Sequence, residues 1–247
     1  MLTASILDLR YCRLLTDHLS EQEGERLASE FDYSFAVCYG HCEATNFETV
    51  QKNACLIDLS RGFESAFSRF NATSRNEVRR FEKMGHLSFQ LGPGEDFKAY
   101  FDFYKNCENA RAWFPVPEEE LRQSLVFTAC FENEPISGMS AYAHGKYLRV
   151  GRIYSSKKTR MDERLSNLVY GCAAKSLVFE LCKYGATHGY ETLDLGGVDL
   201  QDPSKAGISA FKRSFGGQIT AVTIARHANA RFRESEHKIR KAGYDIT

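Results

Sequence analysis

The chain has 247 residues, with 32 Lys plus Arg against 32 Asp plus Glu, so no global basic field draws it to nucleic acid or to a membrane surface. Charged residues at 26% and apolar residues at 43% read as an ordinary soluble globular protein of one large or two small domains, with material for a sizeable core. No run of ~18 apolar residues suggests a membrane span, and the N-terminal stretch lacks a basic segment ahead of an apolar one, so a cytoplasmic protein is expected.

In chain order, residues 16–30 read as a mostly polar helix. "YSFAVCYG" (33–40) and "ACLIDL" (54–59) read as strands with a polar stretch, 43–53, between them. Phe63, Phe67 and Phe70, then Val78 and Phe81, recur at helical spacing over 61–85, and Gly85 is a candidate C-cap. A short strand "HLSFQL" follows, then an aromatic helix carrying Phe97, Tyr100, Phe101 and Tyr104, and a further helix whose first turn is acidic, as the helix dipole favours. Residues 125–156 break at "ENEP" and "HGK", which leaves three strands and two tight turns, a β-meander. A long helix over 162–184 carries an apolar stripe through Leu165, Leu168, Val169, Cys172, Ala173, Leu177, Leu181 and Tyr184, with Gly185 and Gly189 at its end. "ETLDL" and "ITAVTIAR" are the last strands, and 229–243 is a charged helix. A helix between the third meander strand and "ETLDL" implies a parallel crossover. The fold class expected is α/β (α+β): a mixed, mostly antiparallel sheet with a β-meander, a crossover helix and splayed parallel strands.

Eight cysteines form no C-x-x-C pair, and no His lies at zinc-finger spacing. Several sit in apolar runs, where a free thiol behaves as a small hydrophobe, so structural thiols in a reducing compartment and no metal are expected.

The meander, crossover helix and following strand resemble the core of GNAT-type N-acyltransferases. More narrowly, "KYGATHGYETLDLGGVD" and "GISAFKRSFGG" resemble the Fem-type branch, which includes the peptidoglycan bridge-forming aminoacyltransferases, and "SRNEVRRFEKMG" (74–85) resembles that branch's basic helix. Together these stretches cover 74 to about 226. On that reading 1–70 is an N-terminal portion, a reduced half-unit packed on the core; 71–226 is the acyltransferase domain; 227–247 is a C-terminal charged helix. The resemblance implies an acyl donor held between two parallel strands that splay apart, an acceptor amine that attacks its carbonyl, and backbone N–H groups that stabilise the oxyanion. It implies no permanently bound cofactor, with acyl-coenzyme A or an acyl carrier protein as co-substrate. The stretch equivalent to the usual pyrophosphate-cradling loop, "SSKKTRMDERLSN" (155–167), has no glycine, and Lys157, Lys158 and Arg160 would supply charge there instead.

The candidate site residues each carry two readings. Asp194 alternates with Leu193 and Leu195 along a strand, and is either a general base or a buried carboxylate that holds nearby amides. Tyr154 ends the third meander strand, as a catalytic group or a core aromatic. Gly196 and Gly197 suit close approach of a donor or a positive-φ turn. Lys212 borders an apolar face formed by Ile208, Phe211 and Phe215, and contacts phosphate or stays solvated; Arg213 has the same pair of readings. Arg75, Arg79, Trp113 and Asp199 are candidates for binding the acceptor. His144 and His188 are expected in turns.

The function expected is transfer of an acyl group from a thioester to an amine of a small polar acceptor, such as an amino sugar or an amino acid, in cell-surface polysaccharide or envelope metabolism. One alternative is an aminoacyl-tRNA-dependent transferase acting on a peptidoglycan precursor, the only reading with a nucleic-acid partner. Another is a GNAT-fold binding module without turnover. A homodimer is compatible with each.

Overall fold

The computed structural model describes residues 1–83, 87–91, 97–107, 117–156 and 163–242. The strands are β1 (Leu2–Ile6), β2 (Leu9–Leu19), β3 (Tyr33–Cys42), β4 (Glu48–Asp58), β5 (Leu87–Leu91), β6 (Leu125–Phe131), β7 (Glu134–His144), β8 (Tyr147–Ser155), β9 (Thr192–Gly197) and β10 (Gln218–Ala228). The helices are α1 (Glu21–Glu30), α2 (Phe63–Ser68), α3 (Ala72–Lys83), α4 (Phe97–Asn106), α5 (Glu118–Arg122), α6 (Glu163–Thr187), α7 (Ala206–Arg213) and α8 (Ala230–Lys241). The strands form one mixed sheet in the order β1-β2-β3-β10-β4-β9-β8-β7-β6-β5.

The meander and the crossover are where the sequence puts them. Glu132 and Asn133 at positive φ close the β6–β7 turn, and Gly145 at φ 55° helps close β7–β8, as two-residue hairpins require. Helix α6 then returns the chain so that β9 pairs parallel to β8. Val169, Cys172, Ala173, Leu177 and Leu181 are its buried stripe, packed with Leu148, Leu193 and Phe215 in the main core. Gly185 does not end this helix, which runs on to Thr187; a β-carbon at Gly185 would press on Leu59 and Leu148 at 2.7 and 2.8 Å, so glycine there lets the helix approach the sheet. All eight cysteines are free thiols, and all but Cys42 are buried. Among the described residues no helix is long and apolar enough to cross a membrane.

The N-terminal reading needs correction. Residues 16–19 belong to β2, not to a helix, because Leu14, Leu15 and Leu19 are buried in the parallel ladder with β3. The helix starts only after Ser20, whose hydroxyl caps it by accepting from the Glu23 amide at 3.2 Å. Residues 48–53 are strand too: they pair with β10 from Ala221 to Arg226, and that ladder outweighs their polar composition. The β1–β2 hairpin and the β2–α1–β3 crossover add a second parallel unit that the sequence pattern did not announce.

Candidate functional site

Strands β8 and β9 pair only at Tyr147–Thr192, Leu148–Leu193 and Arg149–Asp194. Beyond that last pair β8 continues to Ser155 and β9 to Gly197 without touching ladders, so the sheet forks. Two irregularities open the fork. A bulge in β8 opposite Ser140 and Ala141 leaves Gly151 as the extra residue, and the β4–β9 register shifts between Ala54 and Leu56.

Asp194 sits at the crotch of this fork, fully buried. Strand alternation sends Leu193 and Leu195 into the main core and Asp194 to the opposite face, as expected from sequence. Its Oδ2 accepts from the Tyr39 hydroxyl at 2.9 Å and from Arg149 Nη1, and its Oδ1 accepts from the Gly196 amide at 2.6 Å. Three donors therefore hold the carboxylate. Burial works against the Arg149 charge, but Asp194 overcomes it and the guanidinium pKa ends above its ordinary value. Burial, then the Asp194 charge, pushes the Tyr39 phenol up, so that hydroxyl remains a donor.

Lys212 reaches the same place from α7. Its Nζ donates to the Gly197 carbonyl at 2.6 Å. A β-carbon at Gly196 would lie 3.4 Å from Lys212 Nζ and 3.9 Å from Arg149 Nη2, so this glycine, at φ 84°, separates two cations by little more than bare backbone. Burial and then Arg149 lower the Lys212 pKa, partly offset by Asp194. Helix α7 is held in place from behind. Phe215 packs edge-on against Phe70 and Phe211, at 5.1 and 5.0 Å between centroids. Ser74 donates to Ser214 at 2.9 Å. The "FGG" at residues 215–217 is steric: Gly216 has φ 68° and no room beside the Arg69 carbonyl, and a β-carbon at Gly217 would fall 2.6 Å from Cys55 Sγ. Ile208 departs from expectation. It is 47% exposed, because the short helix turns only its Phe211 edge and the following Phe215 to the core.

The fork thus brings together Asp194, Gly196, Gly197 and Lys212. Other candidates lie elsewhere. Tyr154 is buried in an aromatic cluster with Tyr100, Phe103 and Tyr104, its hydroxyl on that of Tyr100, five residues along β8 from Arg149, roughly 16 Å. Arg75 donates to the carbonyls of Ser68 and Phe70 and so closes the end of α2. Arg79 is exposed on α3, the helix that packs on α6 across the sheet from Asp194. Asp199 accepts from the amides of Gln201 and Asp202 at 3.1 and 3.2 Å and shapes the loop before α7; those bonds, with Lys205, lower its pKa. Arg213 is exposed. His144 Nδ1 meets the Leu15 carbonyl at 2.8 Å, and His188 caps the end of α6. Lys157, Lys158, Arg160 and Trp113 lie outside the described residues. Sequence reasoning missed Arg149 and Tyr39. The signal for Arg149 was present in "YLRVGRIY": an arginine alternating with buried Leu148, two residues before a strand glycine that marks a bulge.

No family model matches the sequence, and no curated protein matches it. Solved structures do. FemX superposes with a TM-score of 0.60 at 11% identity, over 95% of this chain and 85% of that one. The C-terminal domain of a protein named as a lysylphosphatidylglycerol synthetase, from Agrobacterium fabrum, gives 0.56 at 12% identity, over 95% and 83%. The L-PGS structure from Bacillus licheniformis gives 0.54 at 12%, over 98% and 85%. The chain has the GNAT/Fem-like fold that its motifs resemble.

Proposed function

We propose that the chain is an acyltransferase that works at the β8–β9 fork and moves an acyl group from a thioester donor, acyl-coenzyme A or an acyl carrier protein, to an amine of a small polar acceptor. The observation that carries this reading is the reach of Lys212 to the point where the two strands part, beside an Arg149–Asp194 pair already neutral in itself. In the reaction the amine nitrogen attacks the acyl carbonyl, the C–N bond forms and the C–S bond breaks. The thiolate leaves, and the amine's proton passes to solvent or to the thiolate. Negative charge gathers on the carbonyl oxygen on the way. The Gly196 amide is not free to receive it, since it donates to Asp194. Lys212 has three N–H bonds and uses one on Gly197, so its ammonium supplies the oxyanion donor. Asp194, with three donors of its own, is a positioning residue that fixes Arg149 and the end of β9, rather than a base.

A second reading, transfer of an aminoacyl group from tRNA to a peptidoglycan precursor, is favoured by the whole-chain likeness to FemX and to the lysylphosphatidylglycerol synthetase structures. The two share the fork and differ in the donor. Purified protein offered acyl-coenzyme A with a panel of amines is expected to release thiol, and offered aminoacyl-tRNA under the second reading to deacylate it in the presence of acceptor. Lys212→Met is expected to lower the rate about 10²–10³-fold with its melting temperature kept. Consumption of neither donor would leave a binding module without turnover.

A further inference from the structure

Among the described residues the Arg152 side chain has no hydrogen-bond or ion-pair partner. Its Nε is nonetheless buried. A buried donor left unmade is costly, more so on a charged group, and such sites are few in native proteins. Its position gives the exception a use. In the β7–β8 ladder Tyr142 faces Arg149, and Ser140 faces Arg152. Ser140 and Tyr142 lie two apart on one strand, so both arginines stand on the same face of the sheet. That coincidence depends on the bulge: without the extra Gly151, residues 149 and 152 would point to opposite faces. Asp194 is level with Arg149, so Arg152 stands one row past the crotch of the fork, where β8 has left β9.

The charges there do not balance. Arg149, Arg152 and protonated Lys212 bring three positive charges; Asp194 pairs with Arg149, Lys212 donates to the Gly197 carbonyl, and among the described residues no carboxylate pairs with Arg152 or Lys212. Arg149 is consumed by Asp194, which leaves Arg152 and Lys212 to be matched. A single carboxylate from a ligand would match one of them. A phosphate monoester or a diphosphate matches both, and its oxygens suit the planar donor fork of an arginine. We propose that Arg152 is the anion-binding residue of this site, and that it receives a phosphate or diphosphate group of one of the two substrates. The proposal rests on the transferase reading for the word substrate, but the anion site can be tested without turnover.

The test is arginine side-chain ¹⁵N NMR of the full chain, titrated with inorganic pyrophosphate at low salt. The Arg152 Nε–H resonance, assigned by its loss in Arg152→Met, is expected to shift saturably. Arg226 is the internal control: its Nε is also buried without a hydrogen-bond partner, but it lies on β10 level with Phe35 and Glu48, away from the fork. Its resonance should stay in place. Because Arg152 has no polar partner among the described residues, Arg152→Met is expected to melt at the same temperature or ~2–4 °C higher, and to lose the melting-temperature increase that pyrophosphate gives the wild type. An immobile Arg152 resonance, equal shifts at Arg152 and Arg226, or a marked drop in the melting temperature of Arg152→Met would each overturn the proposal. Separate titrations with coenzyme A and with glycerol 3-phosphate identify the source: tighter binding of the first assigns the group to the donor, of the second to a phosphate-bearing acceptor. A protein that transfers acyl groups with an immobile Arg152 loses the anion site and keeps the transferase reading. Pyrophosphate bound through Arg152, with no donor consumed, does the reverse.

Discussion

Lys212 and Asp194 lie on one network but have opposite electrostatic freedom. The carboxylate is saturated by Tyr39, Arg149 and the Gly196 amide. The ammonium has a single fixed acceptor and a pKa lowered by burial and by Arg149. A lysine whose folded pKa is lowered sheds its proton at a lower pH in the folded chain than in the unfolded one. Stability from this group therefore rises as pH climbs through that window, because a buried charge is removed. Activity that needs the ammonium goes the other way. The rate of transfer is expected to fall on the basic side at a pH below the ordinary lysine range, and Lys212→Arg, which stays charged, should push that limb upward. A basic limb that stays put in an active Lys212→Arg protein would assign it to another group. Both residues were legible in the sequence, because alternation around Asp194 and the "FKRSFG" pattern are local signals. The partners of Asp194 were not: "YLRVGRIY" marks Arg149 as an arginine beside a bulge, but nothing in it or in "AVCYG" says that two strands distant in sequence will meet one carboxylate.

Helix α7 is short, and its hold on the fork comes from Phe215, two residues past its end. Helical spacing groups Ile208, Phe211 and Phe215 on one face, but the eight-residue helix buries Ser209 and packs Phe211 on the core while Ile208 is left uncovered. Phe215 is fully buried against Phe70, and Ile208 faces solvent. Phe215→Ala is thus expected to cost about 3–5 kcal/mol in urea or thermal denaturation. Ile208→Ala is expected to change stability by less than ~0.5 kcal/mol. Equal losses would mean that the helix packs along its whole length. Periodicity identifies the face here but not its burial, because period fixes which residues share a face and only the tertiary neighbours decide how much of that face is covered. The same distinction explains β4: residues 48–53 look like a polar loop, and only the presence of β10 alongside makes them a strand.

At the scale of the molecule the decisive feature is an exchange of strands. The N-terminal unit runs β1, β2, α1, β3, with β2 and β3 parallel; the C-terminal unit runs β7, β8, α6, β9, with β8 and β9 parallel. The next strand after each unit does not pair with its own. β4, which comes after β3, lies against β9, and β10, which comes after β9, lies against β3; β4 and β10 then pair with each other at the centre of the sheet. Each unit thereby completes the other, and β4 lines one side of the β9 arm that holds Asp194. A chain cut after residue 70 loses β3 and β4 from the larger piece, which leaves β9 with an unpaired edge and β10 with no partner strand at all, an arrangement prone to aggregate. Residues 71–247 expressed alone are therefore expected to be insoluble or unfolded, and co-expression with 1–70 to restore a soluble complex. The intact chain should unfold in one transition, with far-UV circular dichroism and tyrosine fluorescence coincident. A folded, soluble 71–247 fragment with dispersed amide resonances would show instead that the C-terminal unit closes its sheet without the borrowed strand.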